Sequence, residues 1–298
     1  MSIVVVGSVA LDSIETPFGK VEKALGGSAT YFSIAASFFH PVRLVAIVGE
    51  DFLSEHIELL KSHGVDLEGL VRAKGKTFHW KGRYNDLNMA ETLATELNVY
   101  ADFDPELPES YRRSEYIFLA NINPDLQLKV LGQVRSPKLV ACDTMNLWIN
   151  TALDELKEVL RRVNLLILND SEAKMIAGEE NLITASKKLL ELGPDRVIVK
   201  KGEHGAISLT SETFFAIPAY PVERVVDPTG AGDSFAGGVI GYLASRGRTD
   251  EESYRRAIAY GTVLASFNVE DFSLRRLSSI SREDIERRLD RLHQMTRF

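Results

Sequence analysis

The chain has a single cysteine in 298 residues, Cys142. One thiol excludes an internal disulfide and a cysteine-rich zinc site, and a reducing, cytoplasmic setting is the simplest reading. Basic excess is also missing: 35 Lys and Arg stand against 42 Asp and Glu, a formal charge of −7. With no surplus to offset phosphate repulsion, neither nucleic acid nor an anionic membrane is expected as a partner. No apolar run approaches the roughly 18 residues of a membrane span. The N-terminus enters its first strand, Ile3-Val4-Val5-Val6, without a signal-peptide pattern. No H-E-x-x-H motif or comparable cluster forms among the six histidines, which disfavours a metallohydrolase. After the first strand, Val9 and Asp12 stand where a dinucleotide fold needs its second and third glycines. A dinucleotide oxidoreductase is therefore disfavoured.

What is present is an ordinary globular composition, 45% hydrophobic and 26% charged. Short β-branched runs alternate with helix-periodic segments for most of the length. Ile3–Val6, Leu44–Val48, Tyr116–Leu119, Lys138–Cys142, Leu165–Leu168 and Arg196–Lys200 read as strands. Helices are expected near 28–39, 53–62, 126–134, 153–161, 171–177, 183–191, 233–245 and 252–267. Such alternation predicts an α/β fold whose mostly parallel sheet is covered on both faces. Two stretches break the rhythm. Residues 12–25 are polar and turn-rich, and residues 71–102 read as strand without helix. In the second, Phe78, Trp80 and Tyr84 share one parity, while His79, Lys81 and Arg83 share the other. A small β-layer protruding from the main sheet fits both, within one domain covering residues 1–298.

The most informative segment is Asp227-Pro228-Thr229-Gly230-Ala231-Gly232-Asp233-Ser234. Phe235, Val239, Tyr242 and Leu243 continue it as one face of a helix. Small residues at a helix start leave backbone N–H groups accessible, and the helix dipole adds positive charge there. An anion site with one carboxylate beside it is what phosphoryl transfer to a hydroxyl requires. Asp233 by itself is also compatible with simple helix capping. Further motifs lie in order along the chain. Gly7 to Asp12 follows the first strand, and Gly26-Gly27 opens the next helix. Asn169-Asp170-Ser171-Glu172 fits a capping box as well as a phosphate-facing helix start. Lys200-Lys201-Gly202-Glu203-His204-Gly205 turns between two strands in the manner of a hairpin.

Together these segments resemble the ribokinase-like (PfkB) carbohydrate kinase family, from Gly7 to about Leu264. The resemblance implies a three-layer α/β/α core and a β lid, formed near 12–25 and 71–102, that closes over substrate. It implies Gly230, Ala231 and Gly232 as the anion hole and Asp233 as the catalytic base. Asp12, Gly26 and Gly27 would meet the substrate. Asn169, Glu172, Lys200, Gly202, Gly205, Thr229 and Asn268 would lie along the nucleotide, with Glu172 acting on magnesium through water. ATP and Mg2+ are thus the expected cofactors. Asp227 and Thr229 hold positions that form a monovalent-cation loop in some relatives, and a homodimer through the lid is a family-level expectation.

The chain departs from the family at two places. Thr30 and Tyr31 replace the usual asparagine after the glycine pair, and Phe267-Asn268-Val269-Glu270-Asp271-Phe272 replaces a small-residue segment near the adenine. Gly49-Glu50-Asp51-Phe52 and Asp143-Thr144-Met145-Asn146 are read as support for the fold, not as site residues. The expected activity is transfer of the ATP γ-phosphoryl group to a hydroxyl of a small carbohydrate. A nucleoside kinase is the alternative, with Tyr31, Phe78, Trp80 and Tyr84 available to stack on a base. An inward-facing His79, Lys81 and Arg83 would instead suit an anionic sugar phosphate. A nucleotide-binding regulator without turnover is disfavoured by Asp233 standing intact beside its glycines.

Overall fold

The computed structural model describes residues 2–86 and 89–297. In chain order the strands are β1 (Ile3–Val6), β2 (Ala10–Thr16), β3 (Gly19–Gly26), β4 (Val42–Val48), β5 (Val65–Arg72), β6 (Phe78–Asp86) and β7 (Met89–Glu96). They continue as β8 (Tyr116–Leu119), β9 (Leu139–Cys142), β10 (Leu165–Asn169), β11 (Arg196–Lys200), β12 (Ala206–Leu209) and β13 (Phe214–Ile217). The helices are α1 (Ser28–Ser37), α2 (Ser54–Ser62), α3 (Pro124–Leu131), α4 (Asn146–Thr151), α5 (Leu153–Leu160), α6 (Asp170–Ala177), α7 (Leu182–Glu191), α8 (Ala231–Arg246), α9 (Glu251–Asn268) and α10 (Arg282–Met295).

Nine strands make the main sheet, in the order β13-β12-β11-β10-β9-β8-β1-β4-β5. From β11 to β5 every pairing is parallel; β12 and β13 add an antiparallel edge. The apolar runs explain this arrangement. In β1 all four residues are fully buried, Ile3 and Val5 on one face and Val4 and Val6 on the other. The first face packs with α1, α8 and α9, the second with α5, α6 and α7. A strand buried on both sides needs this continuous hydrophobicity and a helical layer on each face. The fold is the three-layer α/β/α type.

A second sheet, ordered β3-β2-β6-β7, stands apart from the first. Its two faces differ in chemistry. Ile14 and Tyr84 pack with Phe272, and with the partly buried Val21, Trp80 and Val226, on the face toward the main body. His79 pairs with Ser13 and Arg83 with Glu15 at 3.2 Å on the opposite face. The polar stretch 12–25 is thus a β-hairpin, its last strand mostly exposed and lacking the apolar run that marks a buried strand. Val71 and Arg72 belong to the main sheet, and Asn98–Asp102 is a 3-10 turn.

Helix α8 is buried along nearly its whole length, not on one face as its periodicity predicts. Its glycines account for the burial. A Cβ on Gly238 would meet the Gly261 Cα at 2.8 Å, and one on Gly241 the Ala36 Cα at 2.9 Å. The helix therefore lies backbone to backbone against α1 and α9. Gly238→Val is expected to cost about 1–3 kcal/mol through overpacking, read as a lower urea midpoint with an unchanged slope. Two helices lie outside the expected set: α4, only six residues long, and α10, whose buried contacts come mainly from Ile285 and Leu292.

Candidate active site

The polar residues gather where the parallel strands end. Asp143 follows β9, Asn169 closes β10 and Lys200 closes β11. The carboxyl ends of the strands in an open α/β sheet are the usual place for a ligand. A cleft of about 190 Å³ bordered by Lys138, Asn164, Asp195 and Arg196 lies at the opposite ends of the same strands.

The turn before α8 is held from behind. Asp227 is fully buried; its Oδ1 accepts the Thr229 N–H at 2.9 Å and its Oδ2 the Ser273 N–H at 3.0 Å. Asn268, also fully buried, donates to the Thr229 carbonyl at 2.7 Å and accepts from Ser234 Oγ at 3.2 Å. Through these two bonds Asn268 braces the turn from beneath. Gly230, at φ 76°, lets the chain reverse into the helix. No side chain caps α8, and among the described residues the N–H groups of Gly232 and Asp233 have no partner. An uncapped helix start of this kind favours an anion.

Four charged side chains meet beside it. Lys200 Nζ donates to Asp143 Oδ2 at 3.1 Å, and both are largely buried. A Cβ on Gly232 would stand 2.9 Å from the same ammonium, so the missing side chain is what admits Lys200 to the helix mouth. Glu172 completes a reciprocal cap with Asn169, each side chain taking the other's N–H at 2.8 Å. Burial, then the charge of Asp143, raises Asp233 to about 8, while Lys200 pulls it down. Burial and Asp143 likewise raise Glu172 to about 7. Burial alone would discharge Lys200, but the surrounding carboxylates, Asp143 foremost, outweigh it and keep the ammonium charged. Lys200→Met is accordingly expected to cost about 3–5 kcal/mol by leaving the buried Asp143 carboxylate without its partner, measured by urea denaturation.

Asp12 faces this group from the second sheet. It is 4% exposed, accepts the Gly27 N–H, and rises to about 7 because burial outweighs that bond. Gly26 makes room for it: a Cβ there would lie 1.9 Å from Asp12 Oδ2. Tyr84 reaches down from β6 and accepts the Thr229 hydroxyl at 3.1 Å. Gly205 (φ 83°) passes under Ile217, whose carbonyl a Cβ would strike.

A model of the pfkB family of carbohydrate kinases matches residues 1–280. The chain belongs to that family. PfkB enzymes are phosphotransferases with an alcohol group as acceptor, and this chain is one. A cytidine kinase of Thermococcus kodakarensis is 32% identical over 263 residues, covering 86% of this chain and 92% of that protein. Among solved structures, the Methanocaldococcus jannaschii nucleoside kinase superposes with a TM-score of 0.79 at 22% identity, covering 97% of this chain and 98% of that one. The Arabidopsis thaliana ribokinase, solved with ribose and ATP, gives 0.75 at 20% identity over 96% and 98%. These two likenesses concern the fold.

The PfkB motifs point to Asp12, Gly26, Gly230, Gly232, Asp233, Glu172 and Lys200, and the fold brings these together. Asp143, expected only to support the fold, joins the cluster. Its signal in the sequence is only that of an Asp ending a buried strand; its meaning depends on Lys200, 57 residues away.

Proposed function

We propose that the chain is an ATP-dependent nucleoside kinase, with a ribose hydroxyl as the acceptor. The observation that carries this reading is the parity of β6. Tyr84 turns toward Thr229 and Asp12, while His79 and Arg83 pair outward with Ser13 and Glu15. An aromatic, uncharged cover beside a buried carboxylate suits a neutral base on a sugar. An anionic sugar phosphate would need the other face. The likeness to a cytidine kinase over most of both chains supports the same choice.

In this mechanism Asp233 accepts the proton of the attacking hydroxyl late, because a loose transition state needs little early deprotonation. The Gly232 and Asp233 N–H groups and the α8 dipole stabilise the oxygens of the group in transfer. Lys200 neutralises charge at the same mouth. Asp12 anchors a second hydroxyl, and the Gly27 N–H holds its carboxylate in place. The donors fit magnesium in one particular way. Among the described residues no three His, Cys, Asp or Glu side chains form a metal cage, whereas Asp143 and Glu172 offer hard oxygens near Lys200. Mg2+ keeps several waters, so these two carboxylates would hold it through water, where it would neutralise phosphate oxygens. The second sheet would exclude water from the transfer.

The test is ADP release from Mg·ATP across a panel of nucleosides, free sugars and sugar phosphates. Turnover with nucleosides above all is the expected result. Turnover confined to free sugars would favour the carbohydrate reading, and turnover with sugar phosphates would contradict the parity argument.

A further inference from the structure

The segment Gly49-Glu50-Asp51 follows β4 and grips one residue, Thr77. Thr77 is 1% exposed and stands immediately before β6. Its N–H and its hydroxyl both donate to Asp51 Oδ1 at 2.7 Å, and the same hydroxyl accepts the Gly49 N–H at 3.0 Å. Its carbonyl accepts from Asn98 Nδ2 at 3.0 Å. Every polar group of Thr77 is therefore paired. The glycine admits the contact: a Cβ on Gly49 would stand 2.4 Å from the Gly75 carbonyl oxygen and 2.5 Å from the Thr77 nitrogen. Asn98, left-handed at φ 49°, lies where the chain comes back from β7. The chain thus leaves for β6 and returns from β7 through one clasp.

What the clasp controls is register. Strand β6 pairs with β2 in parallel, Ala10 opposite Phe78 and Asp12 opposite Trp80. Parallel partners share no tight turn that would set their alignment. A slip of one residue would turn every side chain of β6 to the other face. Tyr84 would then leave Thr229, and Arg83 would leave Glu15 and turn toward the site. Thr77 adjoins the first paired residue, so it is the point at which the body can fix that alignment. We propose that Asp51 is a positioning residue for the acceptor: by holding Thr77 it sets the register of β6 and keeps Trp80 and Tyr84 over the site beside Asp12. The inference rests on the nucleoside kinase reading, in which this face covers the acceptor, and deepens it. Asp51 acts through β6 and not by touching the substrate.

The test is Asp51→Ala beside Asp51→Asn, which keeps an acceptor oxygen for Thr77. The acceptor is whichever of cytidine, uridine, adenosine and guanosine wild type turns over fastest, and KM is measured for it and for ATP separately. D51A is expected to raise KM for the nucleoside about 10–100-fold while KM for ATP stays unchanged, and D51N to recover most of the loss. D51A should also form more ADP than nucleoside monophosphate, because a displaced cover admits water to the transfer. A rise in both KM values together, or in neither, would overturn the assignment. Hydrogen exchange of the nucleotide-free protein gives a readout that needs no acceptor. Amides of β6 should exchange faster in D51A, while those of β9, β10 and β11 keep the wild-type rate. Equal acceleration throughout would mean a general loss of stability, and none in β6 would mean that the clasp does not hold the strand. Either result would contradict the proposal. If wild type turns over a free sugar instead, the nucleoside reading fails, and the same KM comparison with that sugar judges Asp51 separately.

Discussion

Asp233→Asn is expected to lower kcat by about 10²–10⁴-fold while making the nucleotide-free protein more stable at neutral to alkaline pH. The two effects share one cause. Asp233 sits beside an uncapped helix start, with Asp143, Glu172 and Asp12 close enough to oppose its ionisation. Burial and these charges raise it to about 8. A carboxyl that holds its proton more tightly when folded favours the fold below its unfolded value, near 4. That advantage is lost as pH rises through the folded value. From about pH 4 to 8 the wild type therefore loses stability that a neutral asparagine does not lose. The variant should melt close to wild type near pH 4 and about 2–8 °C above it at pH 8. Calorimetry at the two pH values checks the sign. The same shift predicts that wild-type kcat/KM rises with pH toward a plateau above about 8, as Asp233 becomes available as a base. Equal melting temperatures at both pH values would indicate an ordinary, solvated carboxylate.

The second large effect is expected for Gly230→Ala. At φ 76° a side chain is strained whatever the space, and here there is none. The new methyl would lie against the Tyr31 ring, which is itself fully buried between α1 and the turn. Relief requires moving either the ring or the turn that Asp227 and Asn268 fix from behind. A loss of about 2–4 kcal/mol in stability is expected from strain and overpacking together. Activity should fall about 10²-fold or more, because the N–H groups that receive the phosphoryl oxygens shift with the turn. Tyr31→Ala in the same background should restore part of the stability, which denaturant melts of the single and double variants would reveal.

How much of the fold and the site is legible in the sequence depends on how local each signal is. Strands such as Ile3–Val6 and Arg196–Lys200 announce themselves because both faces are buried and every position is constrained. The turn 227–233 is legible for a similar reason: its small residues and its aspartate are adjacent in the chain. Asp143 is not, since a lone Asp after a strand has many explanations until Lys200 is placed 3.1 Å away. The bracing role of Asn268 is likewise invisible along the chain, because its partners Thr229 and Ser234 lie 39 and 34 residues away. The hairpin β2–β3 is legible as part of a small β-layer but not strand by strand, because its outer residues, Lys20 and Glu22 among them, carry no apolar alternation. Helix α10 is masked by its charge: Ile285, Leu289 and Leu292 form one sparse apolar face among many Arg, Glu and Asp, and a Ser281–Asp284 cap starts it. Sequence shows the two parities of β6, but only the fold decides which one looks inward.

The central claim is that this chain moves the γ-phosphoryl group of ATP onto a nucleoside hydroxyl with Asp233 as base. The most direct measurement follows the phosphorus itself, by 31P NMR of wild type and D233N incubated with Mg·ATP and a ribonucleoside, with ATP affinity measured in parallel. The account predicts a nucleoside monophosphate resonance growing with ADP for wild type, none on the same timescale for D233N, and ATP bound by both. A monophosphate formed equally fast by D233N would contradict it.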